Sequence, residues 1–247
     1  MTYNLAKDWD LPTIIKNCQT TGFASVELRT THAHGVEPSL SKAQRAETRR
    51  RFDDSPVELF GLGTTCEFQS PDPATVRKNI AMCGEFIDLA ADVGAKAVKV
   101  RPNGLPAGVA VEKTLEQIGA ALAECGAMAA ERGVKLYMEV HGGGTQEPAN
   151  AAAIMRHANH PNVYCGWNSN KTDVKDGSVK EAFELLRPTM LAAHLRDLYL
   201  PDYPFREFFS LLKASGFSGP TLAEIPPSED PIRVMHYFRA LWQAYAE

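Results

Sequence analysis

Short apolar runs alternate with longer amphipathic stretches along this chain, and that order limits its fold more than any other feature. Strand-like runs lie at 24–29 (ASVELR), 57–63 (VELFGLG), 96–101 (KAVKVR), 134–140 (VKLYMEV), 162–167 (NVYCGW), 189–195 (TMLAAHL) and 220–225 (PTLAEI). Helical periodicity covers 11–21, 42–52, 73–93, 110–132, 147–158, 177–187, 204–215 and 229–246. In the third of these, Ile80, Cys83, Phe86, Ile87 and Ala90 share one stripe, the pattern of a helix with a core-facing side. Pro73, Pro148 and Pro204 stand near helix starts, where a missing N–H is tolerated. Gly94, Gly133 and Gly216 follow helices, where a left-handed cap is favoured.

Seven strands alternating with eight helices predict an α/β chain with a parallel sheet, and 247 residues suit a single (β/α)8 barrel spanning 1–247. A barrel of this kind closes with an eighth strand. The missing one is the first: Tyr3-Asn4 reads as the end of a strand that is short or truncated. The competing architecture is an open doubly wound sheet, but no Gly-rich phosphate turn follows any strand.

Charge and composition narrow the partners. Twenty-six Lys and Arg against 30 Asp and Glu give a net charge of −4, so the chain has no basic footprint for nucleic acid. No apolar run approaches ~18 residues, which predicts no membrane span. No signal peptide is visible, which predicts a cytoplasmic protein; a leader removed upstream of Thr2 is the alternative expectation. Five scattered cysteines, Cys18, Cys66, Cys83, Cys125 and Cys165, form no CxxC pair and read as free thiols. The sequence leaves assembly into homo-oligomers open.

In such barrels the reactive groups sit at the C-terminal ends of the strands and in the loops that follow. Those positions here hold Glu27, Arg29, His32, His34, Glu67, Lys99, Arg101, Glu139, His141, Asn168, Lys171, His194, Arg196, Asp197 and Glu224. Core packing does not need so many polar groups there. Glu139 lies inside Leu-Tyr-Met-Glu-Val-His, where an unpaired carboxylate costs several kcal/mol, so a cation is expected beside it. That cation is either a metal or a basic side chain from a neighbouring strand. Glu224, in Leu-Ala-Glu-Ile, repeats the pattern, and His194 and Asn168 end strands between them. Imidazole nitrogen with carboxylate and amide oxygens suits Mn, Mg, Co or Zn as divalent ion. Asn168 adds no negative charge, so binding should be looser than with Asp. Lys171 and Arg196 suit substrate oxygens or an anionic group, with surface ion pairs as the alternative. His141, His34, Glu27, Lys99 and Arg101 complete the expected substrate-binding set.

Five segments together resemble the xylose isomerase-like TIM barrel superfamily, in its sugar phosphate isomerase/epimerase group, which overlaps AP endonuclease family 2. They are Gly22-Phe23-Ala24-Ser25-Val26-Glu27-Leu28, Met138-Glu139-Val140-His141-Gly142, Trp167-Asn168, His194-Leu195-Arg196-Asp197 and Gly219-Pro220-Thr221-Leu222-Ala223-Glu224. The resemblance implies a single divalent metal held by Glu139, Asn168, His194 and Glu224, with a small-molecule carbohydrate as substrate. It further implies that Glu139 and Glu224 are catalytic, as proton acceptor and donor on opposite faces of a sugar carbon, through an enediolate. Asn168 departs from the family's Asp. A sugar isomerase or epimerase is therefore expected, with a dehydratase or lyase on a keto-sugar or inositol-type substrate as the first alternative. A non-catalytic sugar-binding barrel is the second. An AP endonuclease would need further zinc ligands and a cationic surface, and the acidic balance speaks against it.

Overall fold

The helices begin where a side chain or a proline deals with the unpaired amides of the first turn. In a computed structural model describing residues 1–247, α1 (Leu11–Thr21) starts behind Asp10, whose carboxylate accepts from Thr13 N–H at 2.9 Å. A reciprocal Ser41–Gln44 capping box opens α2 (Lys42–Asp53), and Asp72 caps α3 (Pro73–Val93) through Ala74 and Thr75. The remaining helices are α4 (Val111–Glu131), α5 (Pro148–Ala158), α6 (Lys180–Leu186), α7 (Phe205–Ser215) and α8 (Pro231–Ala246). Gly94, Gly133 and Gly216 all take the left-handed conformation expected of them, at φ 82°, 68° and 68°. The helix expected from 177 starts three residues late. Lys175 and Ser178 bond each other's backbones in a tight turn with Gly177 at φ 81°, and that turn uses up the segment.

Seven strands pair in parallel, in chain order: β1 (Ser25–Arg29), β2 (Glu58–Glu67), β3 (Ala97–Arg101), β4 (Lys135–Glu139), β5 (Val163–Asn168), β6 (Met190–Leu195) and β7 (Thr221–Ala223). The result is a nearly closed α/β barrel. The expected eighth strand does not form, and residues 3–8 turn instead. Met1 and Thr2 take its place between the outer strands: the Met1 amine donates to Ala223 O at 3.0 Å and Thr2 N–H to Glu27 O at 3.0 Å. Two residues thus reach both edges, and Asn4 and Leu5 N–H continue the link to Ile225 O at 3.2 and 3.1 Å.

Sixty buried apolar residues form the main core, which the helices pack against the sheet. A separate cluster of Phe60, Ala97, Tyr137, Ala192 and Leu222 fills the lower barrel. Because successive side chains alternate across a strand, the residues two further along β3, β4, β6 and just past β7 share that inward face. These residues are Lys99, Glu139, His194 and Glu224, so an ionic layer sits directly on an apolar one. No helix is long and apolar enough to cross a membrane.

Candidate functional site

Glu139, at the end of β4, is 4 % exposed, and His194, on β6, is 1 % exposed; each needs a partner at that depth. They are partners for one another, with His194 Nδ1 3.3 Å from Glu139 Oε1. Glu224 joins them from the segment after β7. Ligand atoms of Glu139, His194 and Glu224 all lie within 4.8 Å of one another, although the residues come from three strand ends. Two carboxylates and an imidazole at this spacing fit a divalent cation. Asn168 lies beside them, its Nδ2 3.5 Å from Glu139 Oε1; turning the amide over would present Oδ1 at the same point.

Beneath this cluster lies a second set of contacts. The Lys99 ammonium donates to Glu139 Oε2 at 2.6 Å and lies 3.8 Å from Glu27 Oε1. Glu27 faces His194 Nε2 at 3.5 Å, and the Tyr137 hydroxyl donates to its other oxygen. His194 therefore has a carboxylate at each ring nitrogen. A neutral imidazole that keeps its proton on Nε2, toward Glu27, presents the Nδ1 lone pair on the side of Glu139. Glu27 and Lys99 are 0 % and 3 % exposed, and their contacts are with Glu139, His194 and Tyr137 rather than with solvent.

Burial and these neighbours set the charge states. Burial works against charge on His194, but Glu27 and Glu139 outweigh it and hold its pKa up at about 9. Burial likewise pushes Glu27 up, and His194, Lys99 and Tyr137 overcome it to hold Glu27 at about 2. Glu139 lies well below the usual carboxylate range because Lys99 and His194 outweigh its desolvation. Glu224 moves the other way: burial raises it, the charge on Glu139 adds to the rise, and His194 and Lys99 oppose it only in part. Two neighbouring carboxyls thus have their affinities for a proton pushed apart, as a general base and a general acid require.

The other expected residues spread around the mouth. Arg196 lies over the Tyr203 ring at 5.3 Å and pairs with Asp202 at 3.0 Å, and Lys171 reaches the same carboxylate at 3.8 Å. Arg101 lies 3.9 Å from Glu67, which also accepts from Asn103. His141 keeps a buried Nδ1 with no partner. His34 is turned into its own loop, bonded to Arg29 O at 2.8 Å and Val36 N–H at 3.0 Å, and His32 bonds the Thr2 hydroxyl at 3.0 Å. His34 and His32 are thus bonded to Arg29, Val36 and Thr2 and not to the Glu139 cluster. All five cysteines are free and buried, as expected.

Sequence reasoning passed over Tyr137. It stands two residues before Glu139 and therefore on the same face, but an aromatic residue in a strand reads as packing. The signal available was Gly166, opposite Glu139 in the β4–β5 register: a glycine inside a strand marks a close approach. A Cβ at Gly166 would lie 2.7 Å from the Tyr137 ring. Gly166→Ala is therefore expected to destabilise the fold by about 1–3 kcal/mol, as overpacking does. A urea midpoint equal to that of the native chain would show that the ring is not confined there.

The match to known proteins follows the whole barrel. Residues 15–168 match the family described as xylose isomerase-like TIM barrel. Among solved structures, an L-ribulose 3-epimerase superposes with a TM-score of 0.85 at 16 % identity, covering 99 % of this chain and 92 % of that one. A D-psicose 3-epimerase with D-tagatose, from Clostridium cellulolyticum H10, gives 0.84 at 14 % identity, covering 100 % and 97 %. The IOLI protein with a binding zinc atom gives 0.78 at 18 % identity, covering 97 % and 94 %. No curated protein matches the sequence.

Proposed function

Because the chain belongs to the xylose isomerase-like TIM barrel family, we propose that it is a divalent-metal-dependent sugar epimerase or isomerase working by proton transfer between Glu139 and Glu224. The observation that carries this reading is the convergence of Glu139, His194 and Glu224 within 4.8 Å at three separate strand ends. The names of its structural relatives, L-ribulose 3-epimerase and D-psicose 3-epimerase among them, favour a ketose-like substrate.

Glu139, His194 and Glu224 would hold the metal, with Asn168 as a neutral fourth neighbour. A bound ion would supply Lewis-acid polarisation of a carbonyl and its adjacent hydroxyl, which would acidify the C–H of the hydroxyl-bearing carbon. Glu139, ionised, accepts that proton. Glu224, whose carboxyl is raised by burial, returns one from the opposite face. In the reverse direction the two exchange roles. Arg196, Lys171 and His141 would bind substrate oxygens at the mouth, with Arg101 across from them. Glu27 and Lys99 act from below: Glu27 orients the His194 ring, and Lys99 keeps Glu139 ionised.

The test is a panel of ketoses and keto-sugars incubated in D2O with Mn2+ present. The expected result is a stereochemically inverted or isomerised product carrying solvent deuterium at the reacting carbon. Glu224→Gln is expected to lower that turnover by about 10²–10⁴-fold, the usual worth of a positioned acid or base. A product that has lost water would replace epimerisation with elimination from the same intermediate. Ligand binding without any exchange would leave only a sugar-binding barrel.

A further inference from the structure

The ionic layer contains one group that ordinary metal ligation does not call for. Lys99 is 3 % exposed and ends on two carboxylates, Glu139 Oε2 at 2.6 Å and Glu27 Oε1 at 3.8 Å. We propose that Lys99 is a built-in counter-ion, which holds Glu139 and Glu27 together without a metal and competes electrostatically with any divalent cation bound to Glu139. The inference rests on the metal reading of Glu139, His194 and Glu224 given above.

Charge and geometry both point to it. Three carboxylates, Glu27, Glu139 and Glu224, face this space, and Asn168 contributes no charge where a carboxylate would have deepened the field. Lys99 cancels one of the three. Its ammonium holds one oxygen of Glu139, while the other oxygen faces His194 Nδ1 at 3.3 Å and Asn168 Nδ2 at 3.5 Å. A cation bound on the His194 side therefore shares a single carboxylate with Lys99. Two positive charges on one carboxylate, buried away from water, repel strongly. Bidentate use of Glu139 would also require breaking the 2.6 Å bond. Glu139 and Glu27 arise from β4 and β1, so the same lysine ties together strands that are not neighbours in the sheet. Gly63 leaves the room for this arrangement: a Cβ there would stand 2.9 Å from Glu27 Oε1 and 3.4 Å from Lys99 Cε.

A substrate-contact role for Lys99 predicts something different: a higher KM and an unchanged metal affinity when the ammonium is removed. A purely structural role predicts weaker metal binding, because the carboxylates would lose their alignment. Competition alone predicts tighter binding.

Mn2+ is titrated calorimetrically into the metal-free native chain and into Lys99→Gln, which keeps a hydrogen-bond donor for Glu139 without the charge. Lys99→Met serves as a second charge-free variant should one of them fold poorly. The expected result is a Kd at least about tenfold lower in the variants, since removing a like charge favours the cation. The rise in Tm on adding Mn2+ should also be larger in the variants than in the native chain, because stabilisation by a bound ligand grows with the logarithm of its affinity. An unchanged or higher Kd in a folded variant overturns the proposal and leaves the metal site standing. Mn2+ binding that is insensitive to Glu139→Gln, or absent from native chain and variants alike, overturns the metal site and this inference with it.

Discussion

Glu139→Gln is expected to abolish most of the activity while leaving the barrel folded. The substitution keeps volume and shape, and the new amide oxygen still accepts a hydrogen bond from Lys99 Nζ, which lies 2.6 Å from Glu139 Oε2. What is lost is a negative charge with three uses: it is a ligand atom of the candidate metal cluster, a neighbour of His194 Nδ1 at 3.3 Å, and, in the proposed mechanism, the ionised acceptor of the substrate proton. A positioned base alone is worth about 10²–10⁴ in rate. Losing a charged ligand as well should put the fall at the upper end of that range, with Mn2+ affinity dropping at least about tenfold. Solvent-deuterium exchange at the reacting carbon reads the chemistry, and calorimetry reads the metal. Exchange within a few-fold of the native rate would remove Glu139 from the proton path, and with it the reason for pairing this residue with Glu224.

The candidate site was legible in part because it breaks the strand pattern. Glu139 and Glu224 are carboxylates inside apolar runs, and His194 follows four apolar residues, so each stands out by the cost of burying it. The barrel was legible for a related reason: periods of about 2 and 3.6 are local properties that each segment displays alone. Closure was not local. Met1 and Thr2 carry no periodicity, and their role rests on bonds to Ala223 and Glu27, far away in the chain. The support beneath the candidate ligands was hidden in the same way. Lys99 and Glu27 stood out as strand-end charges, but their placement against Glu139 and His194 joins residues on four different strands. Tyr137 gave no sign of its own beyond the glycine at 166, because its ring fits the apolar lower layer while its hydroxyl reaches the ionic one. Burial and connectivity decide between substrate contact and internal support, and neither is a property of a segment read by itself.

His194→Asn should have the largest effect on the metal-free protein's stability, about 3 kcal/mol or more, because it leaves two buried carboxylates short of a cation. The native imidazole stabilises as long as it is charged, and the sign of its pH dependence follows from its pKa. In the fold it is held at about 9, above the ordinary 6.5, because Glu27 and Glu139 outweigh desolvation. The folded chain thus keeps a proton that the unfolded chain gives up, so the contribution is full below about pH 6.5 and is lost as pH rises through about 9. Glu27 marks the opposite limit: held down at about 2 from 4.5, it stabilises above about pH 4.5 and loses that contribution as pH falls toward 2. Asp173, raised by burial to about 8 from 3.8, adds a decline with rising pH over part of the same window. For that reason the difference between the native chain and His194→Asn, not the native curve alone, isolates the imidazole. Urea unfolding with chelator present, from pH 6 to pH 10, should show the two stabilities converging as pH rises. The same proton opposes metal binding, since His194 must give it up to offer a lone pair, so Mn2+ affinity should climb toward about pH 9 and each ion bound below that pH should release a proton to the buffer. A constant gap between native and variant across the whole range would mean that His194 is neutral in the metal-free fold, and that Glu27 and Glu139 are balanced by Lys99 alone.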